Sequence, residues 1–190
     1  MRDNKIIAVT GTPGTGKTTL SEKLSQKLDF ELFDLNEFIE KEGIYETDAK
    51  GTKIVDPSDL RDSFGNRIQE RNCNLVVDGL LSYLLSPDQV NYIVILRTEP
   101  DTLEKRLKER DDFSKEKIKE NVESEALGTV TSEAIERQGI ESVFEINTTE
   151  KNPEEVLESL RKGLEDKINL EPGDIDWLEK YVKKQSKEQK

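Results

Sequence analysis

The sequence predicts an α/β fold: a parallel sheet of five strands flanked by helices. Two patterns carry the prediction. Short β-branched apolar runs recur along the chain, and between them lie segments whose apolar residues fall four apart. The strands, in order, are Lys5 to Val9, Phe30 to Phe33, Asn74 to Val77, Tyr92 to Leu96 and Val143 to Ile146. Nearly continuous apolar runs of this length suit strands covered on both faces. The helical sets are Leu20, Leu24, Leu28; Leu60, Phe64, Ile68; Leu103, Leu107; Ile118, Val122, Ala126, Val130; and Val156, Leu160, Leu164. Each set occupies one helix face. In such a sheet, ligands are expected outside the carboxyl ends of the strands.

Two segments interrupt the alternation. Residues 34 to 57 (DLNEFIEKEGIYETDAKGTKIVDP) and 109 to 119 (ERDDFSKEKIK) are polar, charged and too long for tight connections. A chain of 190 residues with 33% hydrophobic side chains suits one domain, residues 1–170. The tail, 171–190, ends in KKQSKEQK and is expected to fray, with its lone Trp177 buried.

Composition narrows the chemistry. Cys73 is the only cysteine, which excludes an intrachain disulfide and a cysteine-rich zinc site; it reads as a small buried hydrophobe. There is no histidine, so a mechanism must run on carboxylates, Lys, Arg, backbone amides and metal-bound water. The net charge of −12 argues against direct nucleic-acid binding and leaves room for a basic protein partner, or for a surface that is merely well solvated. The apolar stretch near the N-terminus is too short for a signal sequence or a membrane span, so the expected location is the cytoplasm.

Directly after the first strand comes GTPGTGKTT, residues 11 to 19, leading into the helix at Leu20. This satisfies the G-x-x-x-x-G-K-[ST] pattern of a phosphate-binding loop in its required strand–loop–helix context. A polyphosphate is held by converging backbone N–H groups, and Gly11, Gly14 and Gly16 let the backbone approach. Lys17 reaches the β- and γ-phosphates of ATP, and the Thr18 hydroxyl ligates Mg²⁺. Asp78 ends a strand of the same sheet, where it can hold the Mg²⁺ hydration shell opposite Thr18.

The guanine-reading N-K-x-D of GTPases is absent. Size and the two polar segments suggest a small kinase, one segment gripping the acceptor and the other closing over the donor phosphates. Arg106 and Arg110, spaced i,i+4, are candidates to clamp the migrating phosphoryl group; the alternative is exposed arginines paired with Glu104, Glu109 or Asp111. Arg97, just past the fourth strand, is a third candidate at the ligand edge.

Together GTPGTGKTT, VVDG, VILRTEPDTLEKRLKERDDFSKEKIKENVESE and the closing GDIDW resemble the adenylate kinase isoenzyme 6 family over nearly the whole chain. The resemblance implies a nucleoside monophosphate kinase that transfers the ATP γ-phosphoryl group reversibly with Mg²⁺ and also acts in maturation of the small ribosomal subunit. It makes Gly14, Gly16, Lys17, Thr18 and Thr19 the ATP phosphate site and Arg110 the lid arginine. It makes 34–57 the acceptor segment, with Ile54, Val55 and Asp56 facing the acceptor base, and 109–119 the lid. Asn147 to Pro153 would line the adenine. The implied partner is the basic eleventh small-subunit ribosomal protein.

Three positions depart from that family. Its Asp-x-His is Asp78-Gly79-Leu80 here, a second common histidine is Tyr83, and an arginine of the acceptor helix is Glu40. A nucleotide phosphate is already an anion and accepts a phosphoryl group without a general base, whereas water must be oriented and deprotonated. Kinase chemistry is therefore expected with a weakened ATPase. Loss of the arginine removes a contact worth about 1.5 to 3 kcal/mol unless Lys41, Lys53 or Arg61 replaces it. Two other readings stay open: an assembly factor whose kinase turnover is incidental, and a kinase of another small acceptor with Asp34 or Asp56 as base.

Overall fold

A computed structural model describes residues 4–49, 51, 53–69, 71, 73–165 and 168–188. In chain order its elements are β1 (Ile6–Thr10), α1 (Lys17–Leu28), β2 (Glu31–Asp34), α2 (Leu35–Glu42), β3 (Glu46–Thr47), β4 (Lys53–Ile54), α3 (Pro57–Gln69), β5 (Leu75–Asp78), β6 (Tyr92–Arg97), α4 (Pro100–Lys108), α5 (Lys115–Leu127), α6 (Thr129–Gln138), β7 (Val143–Asn147), α7 (Pro153–Leu164) and α8 (Leu178–Glu188). The main sheet runs β2-β5-β1-β6-β7, with every neighbouring pair parallel. This is the expected five-stranded α/β architecture. Among the described residues no helix is long and apolar enough to cross a membrane.

Period-two alternation along the central strand sorts the core into two layers. Ile6 and Ala8 of β1 face a cluster with Phe33, Phe38, Leu60 and Phe64, under α2 and α3. Ile7 and Val9 face the opposite cluster with Leu20, Leu24, Val156 and Leu160, from α1 and α7. Phe33 and Phe64 meet edge to face at 5.4 Å, an arrangement that favours aromatic pairs beyond their buried area. A smaller cluster joins α4 to α5 through Leu103, Leu107, Ile118 and Val122.

The segment 34–57, where the acceptor helix is expected at Glu40, contains α2 and the antiparallel β3–β4 hairpin. Its apolar residues Leu35, Phe38 and Ile39 fall at i, i+3, i+4, but flanking acids hid the pattern. The set Ile118 to Val130 spans two helices, because Gly128 adopts φ 64° and ends α5 before Val130 begins a new turn in α6. The tail does not fray over 178–188: Tyr181 packs on the α4–α5 cluster, and Lys184 pairs with Asp101 at 2.7 Å and Glu104 at 3.1 Å. Residues 189 and 190 lie outside the described residues. Cys73 and Trp177 are half-buried rather than buried. The Cys73 thiol donates to Glu31 Oε2 at 3.2 Å, and burial pushes its pKa up.

Candidate active site

The phosphate-binding loop leaves the carboxyl end of β1 with a backbone that its glycines alone permit. Gly11 has φ 139°, and a Cβ there would sit 2.4 Å from the Leu96 carbonyl oxygen. Gly16 has φ 99° and forms the N-cap of α1, so the first free N–H groups of the helix face the loop. Thr15 Oγ1 donates to Thr12 O at 2.8 Å and closes the turn.

Lys17, Thr18 and Asp78 converge below this loop. The Lys17 ammonium rests on Thr12 O at 3.3 Å. Burial lowers its pKa from 10.5 to about 8; the Asp78 charge opposes the shift, and the Arg110 charge adds to it. Thr18 Oγ1 donates to Asp78 Oδ2 at 2.7 Å. Among the described residues Asp78 Oδ1 is buried without a well-formed hydrogen bond, and the Ser21 hydroxyl, also without one, lies close enough to help hold the carboxylate's pKa down. Burial raises the Asp78 pKa against the opposing effects of the Thr18 bond and the Lys17 charge. In the register of β2 and β5, Asp34 lies directly beside Asp78, so two carboxylates end adjacent strands at the ligand edge. Hard oxygens with one buried, unsatisfied lone-pair site fit Mg²⁺, which takes few protein ligands and keeps phosphate oxygens and waters.

A pocket of about 270 Å³ continues behind the loop, lined by Gly14, Gly16, Thr19, Arg106, Thr148 and Lys151 among others. It unites the loop with the segment Asn147 to Pro153. Arg106 lines this pocket and braces the backbone around it. Its guanidinium donates to the carbonyls of Gly14 (3.4 Å), Thr148 (3.1 Å) and Thr149 (3.2 Å) and to Thr98 Oγ1 (3.3 Å). Arg110 lies beyond the end of α4, so the two arginines do not share a helix face. It is half-exposed, stacks its guanidinium over Phe113 at 5.0 Å and pairs bidentately with Asp112 at 3.0 and 2.8 Å. Its charge nonetheless reaches Lys17.

Arg97 is corrected: it cannot meet a substrate, because it is 2% exposed and fully engaged between the sheet and helices α5 and α6. Nε donates to Glu125 Oε1 at 2.8 Å, Nη1 to Glu145 Oε1 at 2.6 Å and Nη2 to the Glu125 carbonyl at 2.8 Å. Glu125 in turn accepts from Thr98 N at 3.0 Å and, through Oε2, from Thr12 Oγ1 of the phosphate loop at 2.6 Å. Glu125 and Thr12 escaped the sequence reading. A signal existed: Glu125 is the sole acid on the buried face of α5, with Ile118, Val122 and Ala126.

The acceptor candidates lie at the hairpin. Ile54, Val55 and Asp56 line a pocket of about 720 Å³ with Tyr45, Glu46 and Asp59. Asp56 Oδ1 accepts from Ser58 N (2.7 Å) and Asp59 N (3.3 Å), and Asp34 Oδ1 from Glu37 N (2.9 Å), so each carboxylate already caps a helix. Lys53 pairs with Glu40 and lies 4.5 Å over the Tyr45 ring; Lys41 pairs with Glu37 at 2.6 Å. Arg61 Nε donates to Leu84 O at 2.7 Å, and the side chain lines a cavity with Asn4 and Ile6 at the opposite end of β1.

A parallel sheet in this order, with a G-x-x-x-x-G-K-T loop, a neighbouring strand-end aspartate and a half-buried loop lysine, defines a P-loop kinase fold. Two solved shikimate kinases share it at low identity: that of Bacteroides thetaiotaomicron (TM-score 0.58, 20% identity, covering 85% of this chain and 98% of that one) and that of Acinetobacter baumannii in complex with shikimate (0.58, 18%, 88% and 97%). Residues 7–128 match the family described as "AAA domain". Proteins described as "Putative adenylate kinase" align over most of the chain. The Thermococcus kodakarensis protein is 40% identical over 176 residues (93% of this chain, 94% of the relative), and the Halobacterium salinarum protein 39% over 178 (93% and 99%). The chain belongs to this family of adenylate-kinase-like P-loop kinases.

Proposed function

We propose that the protein is a nucleoside monophosphate kinase, transferring the γ-phosphoryl group of ATP reversibly to a nucleoside monophosphate with Mg²⁺. The observation that carries this reading is the convergence of Lys17, Thr18 and Asp78 below the phosphate loop, with Asp78 Oδ1 left without a well-formed hydrogen bond. In this reading the backbone N–H groups from Gly14 to Thr19 cradle the donor phosphates, and Lys17 moves from Thr12 O onto them. Thr18 and Asp78 would hold Mg²⁺, which would offset the negative charge of the phosphates. Residues 34–57 hold the acceptor in the hairpin pocket. Residues 109–119 act as a lid, and Arg110 exchanges Asp112 for the transferring group, a short move for a half-exposed side chain.

The test is ADP formation across AMP, CMP, UMP, GMP and no acceptor, with Lys17→Ala as the blank. Strong acceptor dependence supports the reading; equal rates with and without acceptor overturn it.

The Lys17 shift adds a pH prediction. The free enzyme loses the ammonium as pH rises through about 8, so KM for ATP should climb above that pH while staying flat between 6 and 7.5. A flat KM up to pH 9.5 contradicts the role given to Lys17.

Leu80 follows Asp78 and Gly79 at the rim, half-buried against the core, and offers no proton acceptor to a water. Hydrolysis without acceptor should be slow, and Leu80→His should raise it by about 10²-fold, the low end of general acid–base catalysis. An unchanged rate in the variant would count against this. A role in small-subunit assembly is proposed as a second reading on charge alone, since −12 complements a basic ribosomal protein. Its test is ATP-sensitive complex formation with that protein.

A further inference from the structure

The C-terminal segment runs along the edge strand of the sheet and then over the loop that follows β7. Glu145 N of β7 donates to Leu170 O at 2.9 Å, and Glu145 Oε2 accepts from Gly173 N at 3.0 Å. Glu145 is the same buried carboxylate that holds Arg97. Beyond this point Trp177 meets the loop after β7, and α8 departs across α4 and α5. Lys180 pairs with Glu99, Lys184 with Asp101 and Glu104, and Tyr181 Oη donates to Glu123 at 3.3 Å. The chain on either side of Trp177 is therefore anchored.

Trp177 lines a pocket of about 680 Å³ with Glu99, Asn147, Thr149, Lys151 and Glu155. Lys151 also lines the smaller pocket behind the phosphate loop, so the two cavities adjoin there. The indole Nε1 is buried and has no acceptor among the described residues. A buried donor left unpaired destabilises the position it occupies, so a turn of the ring that brings the N–H to an acceptor is favoured. Part of the pocket's polar rim is already engaged: Thr149 Oγ1 accepts from Glu99 N at 2.9 Å and donates to Asn147 Oδ1 at 2.6 Å.

We propose that Trp177 is a positioning residue of the donor-nucleotide site: its indole closes the outer wall of the pocket against the base or ribose and finds its N–H acceptor on the bound nucleotide. This rests on the nucleotide-kinase reading above. A flat aromatic wall suits a purine, whose π-face stacks on indole, and does nothing for a bare polyphosphate.

Trp177 is the only tryptophan, so its emission reports on this residue alone. The non-hydrolysable ATP analogue AMP-PNP with Mg²⁺ is titrated into the full chain, followed in parallel by fluorescence and by calorimetry. The expected result is a saturating emission change whose midpoint matches that of the heat. Trp177→Ala should weaken AMP-PNP binding about tenfold, within the range of base–aromatic stacking. Trp177→Phe should recover part of that loss, and inorganic tripolyphosphate should bind wild type and Trp177→Ala alike. Heat without an emission change, or equal loss of tripolyphosphate binding in Trp177→Ala, overturns the role of Trp177 and leaves the nucleotide reading intact. No heat with AMP-PNP or ADP overturns both.

Discussion

Replacing Lys17 with methionine is expected to lower phosphoryl transfer by about 10³-fold and at the same time to raise the melting temperature at neutral pH. The first effect follows from removing a charge aimed at the transferring group, where a single donor contributes about 10² to 10³. The second follows from the lowered pKa. Below about pH 8 both the folded and unfolded chains carry the ammonium, and the folded chain bears the full burden of burying it. Between about 8 and 10.5 the unfolded chain binds more protons, so stability rises with pH; above 10.5 the burden is gone. Methionine keeps the apolar stem without the charge. The variant should therefore melt higher than wild type at pH 7, by about 2–4 °C for each kcal/mol relieved, with the gap closing at pH 10. Equal melting temperatures at pH 7 would show that the ammonium is not strained in its site.

Glu125→Ala should produce the largest loss of stability outside the apolar core. The substitution leaves Arg97 with one carboxylate where it had two and strips acceptors from Thr98 N and Thr12 Oγ1. Breaking a buried ion pair by removing one partner costs about 3–5 kcal/mol, which at this chain length lowers the melting temperature by roughly 10 °C. Thr12→Val separates the two roles of Glu125. It removes only the bond to the phosphate loop, so its melting temperature should fall much less than that of Glu125→Ala while phosphoryl transfer still drops. An unfolding free energy for Glu125→Ala within about 1 kcal/mol of wild type would mean that Glu145 and Thr131, which Arg97 already contacts, suffice to hold it.

The five strands were legible because strands covered on both faces leave runs of Val and Ile that little else produces. At the carboxyl end the sequence reading stops each strand one residue short, at Val9, Phe33, Val77, Leu96 and Ile146, and the structure adds Thr10, Asp34, Asp78, Arg97 and Asn147. Each added residue is polar, and these ends are where an α/β sheet places its chemistry. An apolar criterion for strands therefore stops where the site begins. The arginines show the complementary failure. Spacing suggested that Arg106 and Arg110 act together, but α4 ends at Lys108 between them, and one became a strut while the other stayed half-exposed.

The phosphate cradle and the strands that carry it are local properties of the chain. The cradle is a local conformation of nine consecutive residues, written in glycines whose φ values other residues avoid, and the helix dipole behind it follows from chain direction alone. The polar groups on which the cradle leans are settled only once the chain has folded. Thr12 meets Glu125 across 113 residues of chain, and Arg106 meets the Gly14 carbonyl across 92. A hydrogen bond of that kind depends on two side chains arriving at one point from different elements. Neither carries a local pattern that names the other, so burial and charge in the assembled fold select the pair.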